Sequence, residues 1–122
     1  MPRILKKKTY HCPVEATLGV IGGKWKSVIL YHLIKDRVLR FGGLQRRLPG
    51  ATAQMLTAQL RELEVDGVVN RKVFLQVPPK VEYSLTPFGE SLAPIIRSMN
   101  AWGKSYANGS GARISLLPQR DS

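Results

Sequence analysis

The chain has 122 residues, 43% hydrophobic and 22% charged, which suits one domain with its own packed core and excludes a disordered basic tail. Nineteen Lys and Arg against eight Asp and Glu give a formal net charge of +11, an excess that favours polyanionic partners. The apolar runs are short, as at Val28 to Tyr31, so no segment approaches the roughly 18 residues that cross a bilayer, and the single cysteine excludes an internal disulfide and a multi-cysteine zinc site.

The basic Met1 to Lys8 is followed by Thr9, Tyr10 and His11 rather than by an apolar stretch, so it does not read as a signal peptide, and a cytoplasmic protein without membrane contact is expected. Residues 1–10 read as a basic arm, in which Lys6, Lys7 and Lys8 act as a solubilising segment or add nonspecific attraction to a polyanion. Between residues 9 and 102 there are 12 basic and 7 acidic side chains, so the body is basic in its own right.

Cys12-Pro13-Val14-Glu15 opens a first helix, with Pro at a position where its missing N–H costs nothing and Glu15 placed as a capping carboxylate; Gly22-Gly23 ends it. A second helix is expected from Lys24 to Ile34, with Trp25, Val28, Ile29 and Leu33 as its core stripe. Phe41, Leu44 and Leu48 support a short third helix stopped by Pro49-Gly50, although Gly42 and Gly43 each disfavour it by about 1 kcal/mol. From the N-cap Thr52 to the stop Gly67, Leu56, Leu60 and Leu63 recur at helical spacing, and the opposite side offers the small polar face of Gln54, Thr57, Ala58 and Arg61.

Two β-rich runs follow, Val68 to Leu75 and Lys80 to Leu85, joined by Gln76-Val77-Pro78-Pro79. Arg71, Lys72 and Lys80 give this hairpin a basic flank. Thr86-Pro87 opens a last long helix carrying Leu92, Ile95, Ile96, Met99 and Trp102, with fraying expected beyond Trp102. The domain is placed at 11–107 and a flexible tail at 108–122.

This order of elements predicts an α+β, mostly α fold: a winged helix-turn-helix with a two-stranded hairpin wing and apolar terminal helices. In that fold one helix enters the major groove of DNA while the hairpin lies along the backbone. Gln and Thr suit base edges, Arg suits guanine or phosphate, and cations at Arg46, Arg47, Arg71, Lys72 and Lys80 suit phosphates, each being equally explicable as a solvated charge. No cofactor or metal site is expected. Two histidines, one cysteine and no phosphate loop supply no catalytic constellation, so an enzyme is not expected. His32 reads as a packed or surface histidine. The alternative is a basic RNA-binding or ribosome-associated module, kept open by Phe74 and Tyr83 on the hairpin as stacking aromatics.

The chain resembles the HxlR-type winged-helix transcriptional regulators, relatives of the MarR group. The resemblance rests on Cys12-Pro13-Val14-Glu15, Ile21-Gly22-Gly23-Lys24-Trp25-Lys26, Arg40-Phe41, Met55-Leu56-Thr57, Gln59-Leu60-Arg61-Glu62-Leu63-Glu64, Asp66-Gly67-Val68-Val69, Val77 to Thr86 and Gly89. It implies a homodimer on pseudo-palindromic promoter DNA, with the first and last helices as its interface and the Thr52 to Asp66 helix reading the groove. The chain departs from the family at Gly42-Gly43 and at Ala53, Gln54 and Ala58, where relatives carry larger polar or basic groups; the alanines shift readout toward thymine methyls or DNA shape. The resemblance also implies a redox or electrophile response at Cys12, whose place at a helix N-terminus favours thiolate. The competing reading is a small residue packed under the partner's last helix. A small-molecule effector, if one exists, is not identified by the residues.

Overall fold

The computed structural model describes residues 8–115; Lys6 and Lys7 of the expected arm and the end of the expected tail lie outside them. In chain order the elements are α1 (Pro13–Ile21), α2 (Lys26–Asp36), β1 (Val38–Arg40), α3 (Phe41–Arg47), α4 (Ala53–Val65), β2 (Val69–Phe74), β3 (Lys80–Leu85), α5 (Pro87–Glu90) and α6 (Ala93–Ser110). Leu44 and Leu48 beside α3, Leu56, Leu60 and Leu63 of α4, Ile29, Leu30 and Leu33 of α2, Val68, Val69 and Ile96 form the centre of one apolar core.

Local chemistry sets the ends of these helices. Thr52 is extended and its Oγ1 accepts the Met55 N–H at 3.1 Å, which starts α4, and Gly67 at φ 80° turns the chain out of it. Thr86 Oγ1 accepts the Gly89 N–H at 2.9 Å and donates to the Gly67 carbonyl at 2.6 Å, so one hydroxyl joins the start of α5 to the end of α4.

Four expectations are corrected. The buried stripe of α2 is Lys26, Ile29, Leu30 and Leu33, while Val28 is exposed and Trp25 precedes the helix. The helix is rotated by about one residue because Lys26, paired with Glu62 of α4, occupies an apolar position. The sheet has three strands in the order β1-β3-β2, all antiparallel, rather than two: Leu39 pairs with Tyr83 and places a third inward side chain on the core. The last helix is two, since Pro94 has no N–H to continue α5 into α6. Finally, α6 runs unbroken to Ser110, past Trp102 and past position 107, so the fraying expected there does not occur.

The expected third helix forms despite Gly42 and Gly43. Leu44 is fully buried, and the Arg47 guanidinium reaches back to the Gly43 carbonyl at 2.9 Å, which supplies packing and a hydrogen bond to offset the glycine cost.

His32 sits half-buried on α2, edge-on to Tyr31, with its Nδ1 buried and lacking a hydrogen-bond partner among the described residues. Burial lowers its pKa below the ordinary 6.5, Arg47 and Lys35 lower it further, and Asp36 opposes them. The unfolded chain therefore binds this proton first as pH falls, so the imidazole is expected to reduce stability progressively below about pH 6.5 and to have no such effect above about pH 7.5. Chemical denaturation across that window checks it: His32→Gln should remove this part of the pH dependence, and identical pH profiles for both proteins would refute it.

Candidate nucleic-acid interface

The helix α4 divides as its periodicity predicts. Leu56, Leu60 and Leu63 face the core, whereas Gln54, Ala58 and Arg61 are exposed along one side with half-buried Thr57 beside them. Thr52 is exposed at the N-terminal end, but its oxygen is engaged as the cap, so its own O–H proton is what remains for a phosphate. Met55 was missed. It is exposed on the first turn of α4, where its thioether gives an apolar surface suited to a thymine methyl. Its apolar side chain falls outside the polar face read from Gln54, Thr57, Ala58 and Arg61, so the sequence carried no signal for it.

The preceding helix and turn complete a helix-turn-helix. Leu48 caps the end of α3, the Ala51 N–H bonds the Leu48 carbonyl at 3.1 Å, and Gly50 takes φ 96° where a side chain would be strained. Of the two α3 arginines, Arg46 is exposed and Arg47 is not comparably placed. Arg47 Nε lies 3.0 Å from Asp36 Oδ2 and its side chain is only 13% exposed, so its charge ties α3 to α2.

The hairpin cations, treated above as one flank, are split by the strand pleat. Arg71 pairs with Tyr83 in the row that includes buried Leu39, yet it is exposed, whereas Lys72, Glu82 and Arg40 form the next row and point to the other face. Arg40 was missed because β1 was missed. Phe74 carries Lys72 Nζ at 4.9 Å and Lys80 Nζ at 4.2 Å from its ring centroid, and Lys80 also lies 3.6 Å from Glu82. Tyr83 is buried in the core and Phe74 is covered by two ammoniums, so the hairpin does not present the paired stacking surface on which the RNA alternative rested.

Cys12 stands apart from this surface. It is exposed, its backbone is extended, and it caps α1 without a side-chain hydrogen bond. Glu15 reaches back to the His11 N–H and ring, with Nδ1 at 3.1 Å, so the carboxylate fixes His11 at the start of α1. Among the described residues no group of His, Cys, Asp and Glu is arranged to hold a metal, and no helix is long and apolar enough to cross a membrane.

A polar helix entered through a tight turn and a basic β-ribbon at its end make this a winged helix-turn-helix DNA-binding regulator of transcription. The model of the HxlR-like helix-turn-helix family matches residues 20–110, and the chain belongs to that family. It is 59% identical over 95 residues to YdeP of Bacillus subtilis strain 168, an uncharacterized HTH-type transcriptional regulator, covering 78% of this chain and 73% of that one. Among solved structures it is similar to the redox regulator HypR in its reduced form, at 54% identity and TM-score 0.78, covering 84% of this chain and all of that one. It is also similar to the reduced form of the transcriptional regulator YodB from B. subtilis, at 32% identity and TM-score 0.67, covering 80% and 95%.

Proposed function

We propose that the protein is a homodimer, acting in the cytoplasm as a DNA-binding protein rather than an enzyme, that reads a pseudo-palindromic promoter operator. The exposed polar face of α4 next to the basic ribbon carries this reading. Gln54, Thr57, Ala58 and Arg61, with Met55, contact base edges. Arg46, Arg71, Lys72, Lys80 and Arg40 lie toward phosphates, and Thr52 donates its hydroxyl there. The dimer is supported by an apolar stripe on α6, in which Ile95, Met99, Trp102 and Tyr106 are exposed at one-turn spacing and Trp102 stacks on Tyr106 at 5.4 Å, and by exposed Val14 and Leu18 on α1.

Sedimentation of the free protein at micromolar concentration is expected to show a dimer, and footprinting to show two half-sites about 34 to 36 Å apart. Neutralising Arg71 and Lys72 should weaken binding to specific and random duplexes alike, each lost phosphate contact lowering the salt slope by about one. Gln54→Ala or Arg61→Ala should instead change base preference, each good contact being worth roughly 1 to 3 kcal/mol. A monomer protecting one asymmetric site, or equal losses on both DNAs for all four changes, would refute the reading.

The same proposal assigns Cys12 the control of binding. Its exposure makes the thiol accessible, and the likeness to HypR, known in oxidized and reduced forms, supports a redox role. With no second cysteine in the chain, oxidation leads to a sulfenic acid, a mixed disulfide with a small thiol, or a disulfide between subunits. Diamide treatment is expected to change operator affinity of the wild type by about 5- to 150-fold, the range of ordinary allosteric coupling, and to leave Cys12→Ser unchanged. Complete modification of the thiol, verified by mass spectrometry, without a change in affinity would leave Cys12 a packing residue.

A further inference from the structure

We infer that the tip of the β2–β3 ribbon is an apolar wedge that enters the minor groove of duplex DNA and bends it; this rests on the DNA-binding reading above and adds a binding element to it. Leu75 is 96% exposed and Val77 is 99% exposed, and both lie in the five-residue connection that continues through Pro78 and Pro79. A single exposed aliphatic residue needs no explanation, but two within three positions at the end of the ribbon form a surface left uncovered by the described residues.

The ribbon is built to carry that tip away from the body. β1 covers β3 only as far as the Arg40–Glu82 rung, so the outer rungs Val73–Val81 and Phe74–Lys80 belong to a bare two-stranded ribbon. The ribbon starts directly at α4, where the Val68 N–H bonds the Leu63 carbonyl at 3.1 Å, so its base is fixed to the helix that reads the major groove. From Val69 to Phe74 at about 3.3 Å per residue, the strand spans roughly 17 Å. That is about half of the ~34 Å duplex turn, the axial step from a major groove to the neighbouring minor groove.

Charge selects the occupant. Lys72 and Lys80 rest on the Phe74 ring just behind the tip, and Glu82, the sole acidic residue of the two strands, is engaged by Lys80. An apolar point with a cationic collar complements a groove walled by phosphates and floored by sugar and base edges. Apolar side chains pushed between base steps there unstack them and kink the duplex by about 20–90°, most easily at pyrimidine–purine steps.

The test uses the full chain and duplexes selected from a random library, with fluorophores at both ends to report bending and anisotropy to report affinity. The double variant Leu75→Ser/Val77→Ser removes the wedge from solvent-exposed positions; an unchanged unfolding midpoint verifies its fold. It is expected to bind about tenfold more weakly, to bend the duplex less than half as far, and to keep the salt slope, because no cation is removed. Replacing adenine by 2,6-diaminopurine under the wing adds an amino group to the minor groove, and should weaken the wild type while leaving the variant unaffected. Equal bending and affinity for both proteins would overturn the wedge while the DNA-binding reading stands; a wild type that binds no duplex would overturn both. If the double variant instead lost binding to phosphatidylglycerol vesicles with DNA bending intact, the tip would be a membrane contact and the inference would fail.

Discussion

Replacing Gly89 by Ala is expected to lower stability by at least about 3 kcal/mol, a large share of the 5 to 15 kcal/mol that holds a domain of this size folded. Gly89 is buried in α5, and a Cβ there would overlap the carbonyl oxygen of Val68 and press on its Cα. That carbonyl cannot swing aside freely. It accepts the Thr86 N–H at 3.1 Å, and Thr86 in turn caps α5 and bonds Gly67. Relief of the clash must therefore break a bond at the junction of α4, β2 and α5. The unfolding midpoint is expected to fall by on the order of 12 °C or more. Gly109→Ala is the matched control, because a Cβ there meets nothing within 4 Å and alanine favours the helix. Equal midpoints for wild type and Gly89→Ala would show that α5 shifts without cost.

Removing the carboxylate of Glu62 should do damage of a different kind. Lys26 is the one charged residue in the buried stripe of α2, and Glu62 on α4 is its ion-pair partner. Breaking a fully buried pair costs about 3 to 5 kcal/mol, but the Glu62 side chain is 57% exposed and water screens it, so about 1 to 2 kcal/mol is expected for Glu62→Ala. The joint replacement Lys26→Met with Glu62→Leu should recover most of this, since neither charge is then stranded. Denaturation of the two single variants and the double one gives the coupling directly. Because this pair ties α4 to α2, and α4 is the proposed reading helix, Glu62→Ala should also lose more affinity for the operator than for random DNA. Additive effects on stability, or equal losses on the two DNAs, would refute the role.

Much of this fold was legible before the structure was. Leu56, Leu60 and Leu63 keep helical spacing between a threonine cap and a glycine stop, so α4 and its polar face follow from the residues alone. The proline pair between two β-rich runs placed the ribbon equally well. What failed had physical causes. Lys26 hid the true stripe of α2 because its neutralising partner is 36 positions away in sequence. β1 is three residues with one inward side chain, too few for a visible alternation. Apolar spacing along α6 says that a face avoids water but not what covers it, so Ile95, Met99 and Trp102, grouped with Ile96, proved exposed while Ile96 alone of the four is buried. Of the candidate site, the exposure of Gln54, Ala58 and Arg61 on α4 was legible from spacing and that of Met55 was not, whereas the hairpin cations needed the strand register to be assigned to faces, and Arg47 needed Asp36 in view.

The end of β1 at the Glu82 rung also bears on how such a regulator diversifies. Beyond that rung Val81 alone of the ribbon packs against the buried core, so changes from Lys72 to Lys80 leave the packing of the body intact. Selection acting on this stretch is therefore released from the demand for foldability that constrains α4, whose every third or fourth residue is buried in the core. The outer ribbon can therefore vary without unstable intermediates, and it is where divergence between otherwise similar relatives should concentrate.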